Sequence, residues 1–135
     1  MKSSLVVRQG MTFVVIGAIA TTIHVSVALA AKTTIHAPPL WANFIGYSSA
    51  VGVSYACNAR FPFGRAMLDR AQFARFLAVS VAALLLGQAV MYLLVTHWGM
   101  AFWMGLAAVA TASPAFSFTL SLLWAFRGGR NAADA

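Results

Sequence analysis

Acidic residues are nearly missing from this 135-residue chain: there are two Asp+Glu, Asp69 and Asp134, against nine Lys+Arg. With so few, no pair of carboxylates is available for general acid–base work, for a hard-cation site or for proton exchange inside an apolar segment. Cys57 is the only cysteine, which excludes an intrachain disulfide. The three histidines, His24, His36 and His97, lack metal-ligand spacing, and there is no P-loop pattern, nucleophile elbow or CxxC pair. The reading is therefore no enzyme, no cofactor and no metal. Charge of either sign is scarce too, at 8% of residues, while 61% are apolar. A soluble domain carries about 25% charged residues. An ordinary water-soluble globule is excluded, because too little polar surface exists to solvate one.

What is present is long runs without charge: Gln9–Ala31, Thr33–Ala59 and Phe76–Phe126. A membrane-spanning helix needs ~20 mostly apolar residues. The first two runs hold one span each and the third holds two. The expected fold is an all-α integral membrane protein forming a single membrane domain over residues 1–135, with spans at about 10–31, 38–59, 73–96 and 101–126. The first run exceeds the ~7–15 residues of a signal-peptide core, and three further spans need it as a partner, so it is read as a retained span. Pro38 and Pro39 suit a helix start, where a missing N–H costs nothing. Trp41, Trp98 and Trp103 fall at the outer ends and Phe61, Phe63 and Trp124 at the inner ends, as an interfacial aromatic belt requires.

The basic residues are unevenly placed. Lys2 and Arg8 precede the first span, Arg60, Arg65, Arg70 and Arg75 lie between the second and third, and Arg127 and Arg130 follow the fourth. Lys32 alone lies on the other side. The positive-inside rule then puts both termini and the middle loop in the cytoplasm, in a multi-pass protein of the cytoplasmic membrane. Attraction to anionic lipid headgroups accounts for the basic excess, and nucleic acid is not needed as a partner.

Displacing the chain by 63 residues superimposes its halves without a gap: Gln9 falls on Gln72, Phe13 on Phe76, Ser54 on Ser117 and Phe63 on Phe126. Two spans per half make two helical hairpins related as a parallel internal repeat. At 100° per residue, Gly17, Thr21, His24 and Ala28 share one face of span one, and Asn43, Gly46, Tyr47, Ala50, Ser54 and Asn58 share one face of span two. The matching positions of spans three and four are Ser80, Leu84, Gly87 and Met91, then Leu106, Ser113, Ser117 and Ser121. They keep the small character and lose most of the polarity, so a polar site is expected mainly in the first half. Small residues there permit close helix packing, with hydroxyls as interhelical glue. His24, an ionisable group inside a span, is equally a packing residue and a functional candidate, with Asn43 near it in depth. Arg60 leaves span two beside Asn58. It either snorkels to the interface or offers its planar fork to a lipid phosphate, and Arg75 and Arg127 lie at comparable depth.

These residues resemble the GtrA-like family of four-span membrane proteins. The likeness rests on Phe13-Val14-Val15-Ile16-Gly17 with Thr21 and His24, on Ala42-Asn43-Phe44-Ile45-Gly46-Tyr47, and on Ser54-Tyr55-Ala56-Cys57-Asn58-Ala59-Arg60-Phe61-Pro62-Phe63. Arg75-Phe76 and Leu123-Trp124-Ala125-Phe126-Arg127 continue it, whereas Thr12 and Ser121 depart from the family pattern. The resemblance implies translocation of a polyprenyl-phosphate-linked sugar between leaflets for cell-envelope glycosylation. It implies that Asn43, Ser54, Asn58, Arg60, Arg75 and Arg127 are the polar residues concerned. In that reading Arg60, Arg75 and Arg127 hold the phosphate, while Thr21, His24, Asn43, Tyr47, Ser54 and Asn58 line the sugar path. The alternative is a non-transporting anchor for a membrane glycosyltransferase. A homo-oligomer is expected under either, because four spans bury limited area.

Overall fold

A computed structural model of the protein describes residues 2–60 and 70–120, and these are helical apart from two short turns. The order is α1 (Lys2–Thr34), α2 (Pro39–Arg60), α3 (Arg70–Met91), a π-helical segment (Tyr92–His97) and α4 (Phe102–Leu120). The chain divides into two compact units, Met1–Asp69 and Arg70–Ala135, each an antiparallel helical hairpin in its described part. Apolar sequence of this length folds as helix in lipid because only a helix satisfies every backbone N–H and C=O within one segment.

Two stretches, Gly10–Thr34 and Phe73–His97, are long and apolar enough to cross a membrane, at 25 residues each. Their large side chains are not packed away as in a soluble core: Val14 is 66% exposed and Leu85 64%. The first helix begins at Lys2, well before the span expected from residue 10, and so projects beyond its apolar stretch. α2 has 22 residues and interrupts its apolar character with Asn43, Tyr47 and Ser54. α4 is described for 19 residues, of which Phe102–Ser117 form an apolar stretch. The expected end of span four, near residue 126, lies outside the described residues, as do residues 61–69.

The turn between α1 and α2 and the turn between α3 and α4 are built alike. In the first, His36 takes a left-handed backbone (φ 52°), and the N–H of Ala37 donates to the Ala31 carbonyl at 3.1 Å. Sixty-three residues later Gly99 takes the same conformation (φ 68°), and Met100 N–H donates to the Leu94 carbonyl at 2.9 Å. Each following helix opens the same way, with Ala42 N–H donating to Pro38 O and Gly105 N–H to Ala101 O. Pro39 stands first in α2, where its fixed φ favours the helix and its missing N–H has no intrahelical partner to lose. One difference separates the turns. α1 remains α-helical to Thr34, whereas α3 widens after Met91 into the π-helical segment, followed by a bond from Trp98 N–H to Leu93 O.

Small residues set the helix spacing. In the first hairpin a Cβ on Gly46 would lie 2.5 Å from the His24 carbonyl oxygen and 2.9 Å from the Ala28 Cβ. In the second, a Cβ on Gly105 would collide with Val95 and come 3.0 Å from the Met91 sulfur. Ala28 and Met91 are equivalent under the 63-residue displacement, and both are fully buried. Each faces a glycine, but the glycines are one turn apart: Gly46 corresponds to Val109, and Gly105 to Ala42. The longer Met91 side chain reaches a different level of its partner helix, and the gap that admits it has moved accordingly.

Candidate functional site

Most buried positions of the first hairpin are small or apolar: Ile16, Ala28, Ala31, Ala42, Gly46 and Ala50. His24 and Asn43 are the exceptions. His24 is 4% exposed and Asn43 is completely buried, so neither can rely on water for a partner. They use each other. His24 Nε2–H donates to Asn43 Oδ1 at 2.9 Å, joining α1 to α2 in the middle of their packing seam. The acceptor oxygen places the ring proton on Nε2. The bond is made at the level where Gly46 brings the two backbones together, since the His24 carbonyl is the atom that a side chain at position 46 would strike first.

Tyr47 closes the cluster. Its ring meets the His24 imidazole edge to face, with centroids 5.7 Å apart and planes at 86°. Thus Asn43, Gly46 and Tyr47, on one face of α2 by helical spacing, all act on His24: one bonds it, one makes room for it and one packs on it. The depth match expected between His24 and Asn43 is present, and it is a direct contact. Farther along the same face Ser54 is half-buried, and on α1 Thr21 and Gly17 are half-buried above the pair. Hydroxyls elsewhere bond back to their own helices, as Thr22 does to Ala18 O and Ser49 to Ile45 O, each below 3 Å.

The corresponding place in the second hairpin is apolar. Gly87 and Leu106 stand where His24 and Asn43 stand in the first, and both are buried. Tyr47 corresponds to Ala110. The asymmetry read from the sequence is therefore present in the packing: a hydrogen-bonded polar pair in one hairpin, aliphatic contact in the other.

The three arginines assigned to a phosphate are placed unequally. Arg75 lies on α3, within two turns of its start at Arg70, and is half-buried. Arg60 is the last residue of α2, but its side chain and that of Asn58 lie outside the described residues. Arg127 lies outside them altogether. Among the described residues no group of His, Cys, Asp or Glu is arranged to hold a metal ion. A residue given no role of its own by the sequence is Gly46. The spacing put it on the polar face, but its place at the closest helix approach depends on the crossing of α1 and α2.

Comparison with known proteins gives one relationship. No curated protein and no solved structure matches the sequence. The family model for the GtrA/DPMS transmembrane domain matches residues 12–126. That match takes in α1 from residue 12 on, the whole of α2, α3 and α4 and both hairpin turns, and with the two long apolar stretches it makes this a membrane protein. From its apolar hairpins and the residues of its polar seam to the extent of that match, the chain belongs to the GtrA/DPMS transmembrane-domain family.

Proposed function

We propose that the protein moves the polar head of a polyprenyl-phosphate-linked sugar from the inner to the outer leaflet of the cytoplasmic membrane. The observation that carries this reading is the family match across residues 12–126, which ties the chain to the handling of polyprenyl-phosphate sugars. In this reading all four helices span the bilayer, the hairpins arose by duplication, and both termini face the cytoplasm. The like-built turns at 36 and 99 support the duplication.

The ligand has one phosphodiester charge, a neutral hydroxyl-rich sugar and a long isoprenoid tail. The tail can stay in lipid throughout, so the obstacle is the head group, whose burial without partners is prohibitive. Arg60, with Arg75 or Arg127, holds the phosphate at the inner face, where a guanidinium fork can bond two phosphate oxygens at once. Asn58, Ser54, Tyr47 and Asn43 of α2, with Thr21 and His24 of α1, offer hydrogen bonds along the path. His24 and Asn43 satisfy each other in the closed hairpin. A sugar hydroxyl that replaces one of them exchanges one hydrogen bond for another, which keeps the barrier low. Neither acid of the chain lies in an apolar run, so direction comes from supply and removal of the lipid rather than from proton exchange through a carboxylate.

The test is leaflet-resolved transport of a polyprenyl-phosphate sugar by purified protein in vesicles. Protein-dependent appearance of the sugar in the opposite leaflet is expected. A protein that only anchors a glycosyltransferase would bind that enzyme and leave the lipid where it was. Within the same assay Arg60→Lys should weaken lipid binding although the charge is kept, because lysine lacks the bidentate geometry. Equal binding by the two proteins would remove Arg60 from the phosphate site.

A further inference from the structure

Among the described residues of the second hairpin, one buried hydroxyl is not explained by the packing. Ser113 of α4 is 2% exposed, and its Oγ has no hydrogen-bond partner among the described residues. Other hydroxyls of these helices are satisfied locally: Thr12, Thr22, Thr33, Ser49, Thr111 and Thr119 each bond the carbonyl four residues back. Ser113 departs from this habit at a special place. The next residue, Pro114, lies inside α4 and has no N–H to give to the Ala110 carbonyl. A helix interrupted in this way bends or parts more easily than an unbroken one.

The hairpin architecture does not demand either feature. In the first hairpin the equivalent residues are Ala50, which is buried, and Val51, so the same seam packs there without hydroxyl or proline. By residue count from the turn, a second buried hydroxyl, Ser80, stands on α3 at the matching position. Ser80 lies seven residues before Gly87 on α3, and Ser113 seven after Leu106 on α4. Gly87 and Leu106 occupy the places of the bonded His24 and Asn43, so Ser80 and Ser113 share a level two turns farther inward. Both are buried.

We propose that Ser113, at the proline break of α4, is a contact for the sugar of the transported lipid, its Oγ donating to a sugar oxygen when the α3–α4 seam opens. Ser80 stands opposite as a second hydroxyl. This rests on the transport reading above and extends the head-group path to the hairpin that the sequence leaves apolar. A neutral hydroxyl suits a sugar oxygen, whereas a phosphate is drawn to a guanidinium such as Arg75.

The experiment uses the full chain in lipid vesicles with Cys57→Ser, to which Ser113→Cys or the lipid-facing control Val81→Cys is added. A small polar thiol reagent is applied with no added ligand, with sugar-free polyprenyl phosphate, or with polyprenyl-phosphate glucose as the probe. The thiol at 113 should react faster than the control, and the glucose lipid alone, by covering it, should slow it about threefold to tenfold at a concentration about two to nine times its Kd. A thiol at 113 no faster than the control means a dry, sealed seam and overturns the proposal. So does equal slowing by both lipids, or slowing by neither, which leaves a site reached only by water. Ser113→Ala should lower glucose-lipid transport by a similar factor and Ser113→Thr should retain it, at equal protein levels. If the wild type transports nothing while the glucose lipid still protects position 113, the transport reading fails and the sugar contact stands.

Discussion

His24 and Asn43 offer a way to separate holding a structure together from handling a ligand. Removing one partner takes away the buried bond that the other makes to it, a penalty of about 1–3 kcal/mol. His24→Ala or Asn43→Ala alone should therefore lower the thermal stability of the detergent-solubilised protein. Replacing both by apolar residues removes both sides of that bond, as Gly87 and Leu106 do at the corresponding positions of the second hairpin. The double variant His24→Ala, Asn43→Leu should regain most of the stability lost by His24→Ala. If the pair serves transport, sugar-lipid movement should stay low in the double variant; recovery in step with stability would make the pair purely structural. Gly46 supplies the second residue-scale test. A methyl there meets the backbone of α1, which cannot swing aside. Gly46→Ala should cost about 1–3 kcal/mol, as overpacking does. Gly17→Ala and Gly52→Ala, where a Cβ meets nothing within 4 Å, should be neutral or raise stability by up to ~1 kcal/mol through helix propensity. Thermal unfolding of the three variants side by side checks this.

At the scale of the element, the turns of the two hairpins show one backbone solution written with two residues. The left-handed position is glycine in the second turn and histidine in the first. An L-residue pays roughly 1–2 kcal/mol there, less for the polar residues that tolerate it, while glycine pays nothing sterically. His36→Gly should therefore leave stability unchanged or raise it by up to ~1 kcal/mol, and Gly99→Ala should lower it by about 1 kcal/mol. Both are read by unfolding in detergent, and a Gly99→Ala protein as stable as the wild type would contradict the turn geometry. That these stretches are helical, and that α2 opens at the prolines, was legible from the charge-free runs and from Pro38-Pro39, because chain solvation and a missing N–H are local properties; the start of α1 at Lys2, outside its apolar run, was not. The π-helical segment Tyr92–His97 was not legible. Its wider turn carries Val95 against Gly105, so it belongs to how α3 meets α4 and not to the residues of α3 alone.

For the whole molecule, the charge distribution predicts sidedness: eight basic residues on one side and Lys32 alone on the other. Reporter fusions after Arg130 should read cytoplasmic, and one after Ala31 should read external. Both reading the same side would defeat the four-span arrangement. Sequence alone determined the membrane class, the helical state and the face on which Asn43, Tyr47 and Ser54 lie. Each follows from the cost of burying charge and unpaired backbone in lipid, or from the 3.6-residue period of one helix. Tertiary structure decided the rest. That His24 bonds Asn43 and packs on Tyr47, that Gly46 and Gly105 mark the closest approaches one turn apart, and that Ser113 is sealed without a partner all depend on the register between two helices. Register is set by the fit of side chains across a seam, and the period of either helix by itself carries no record of it.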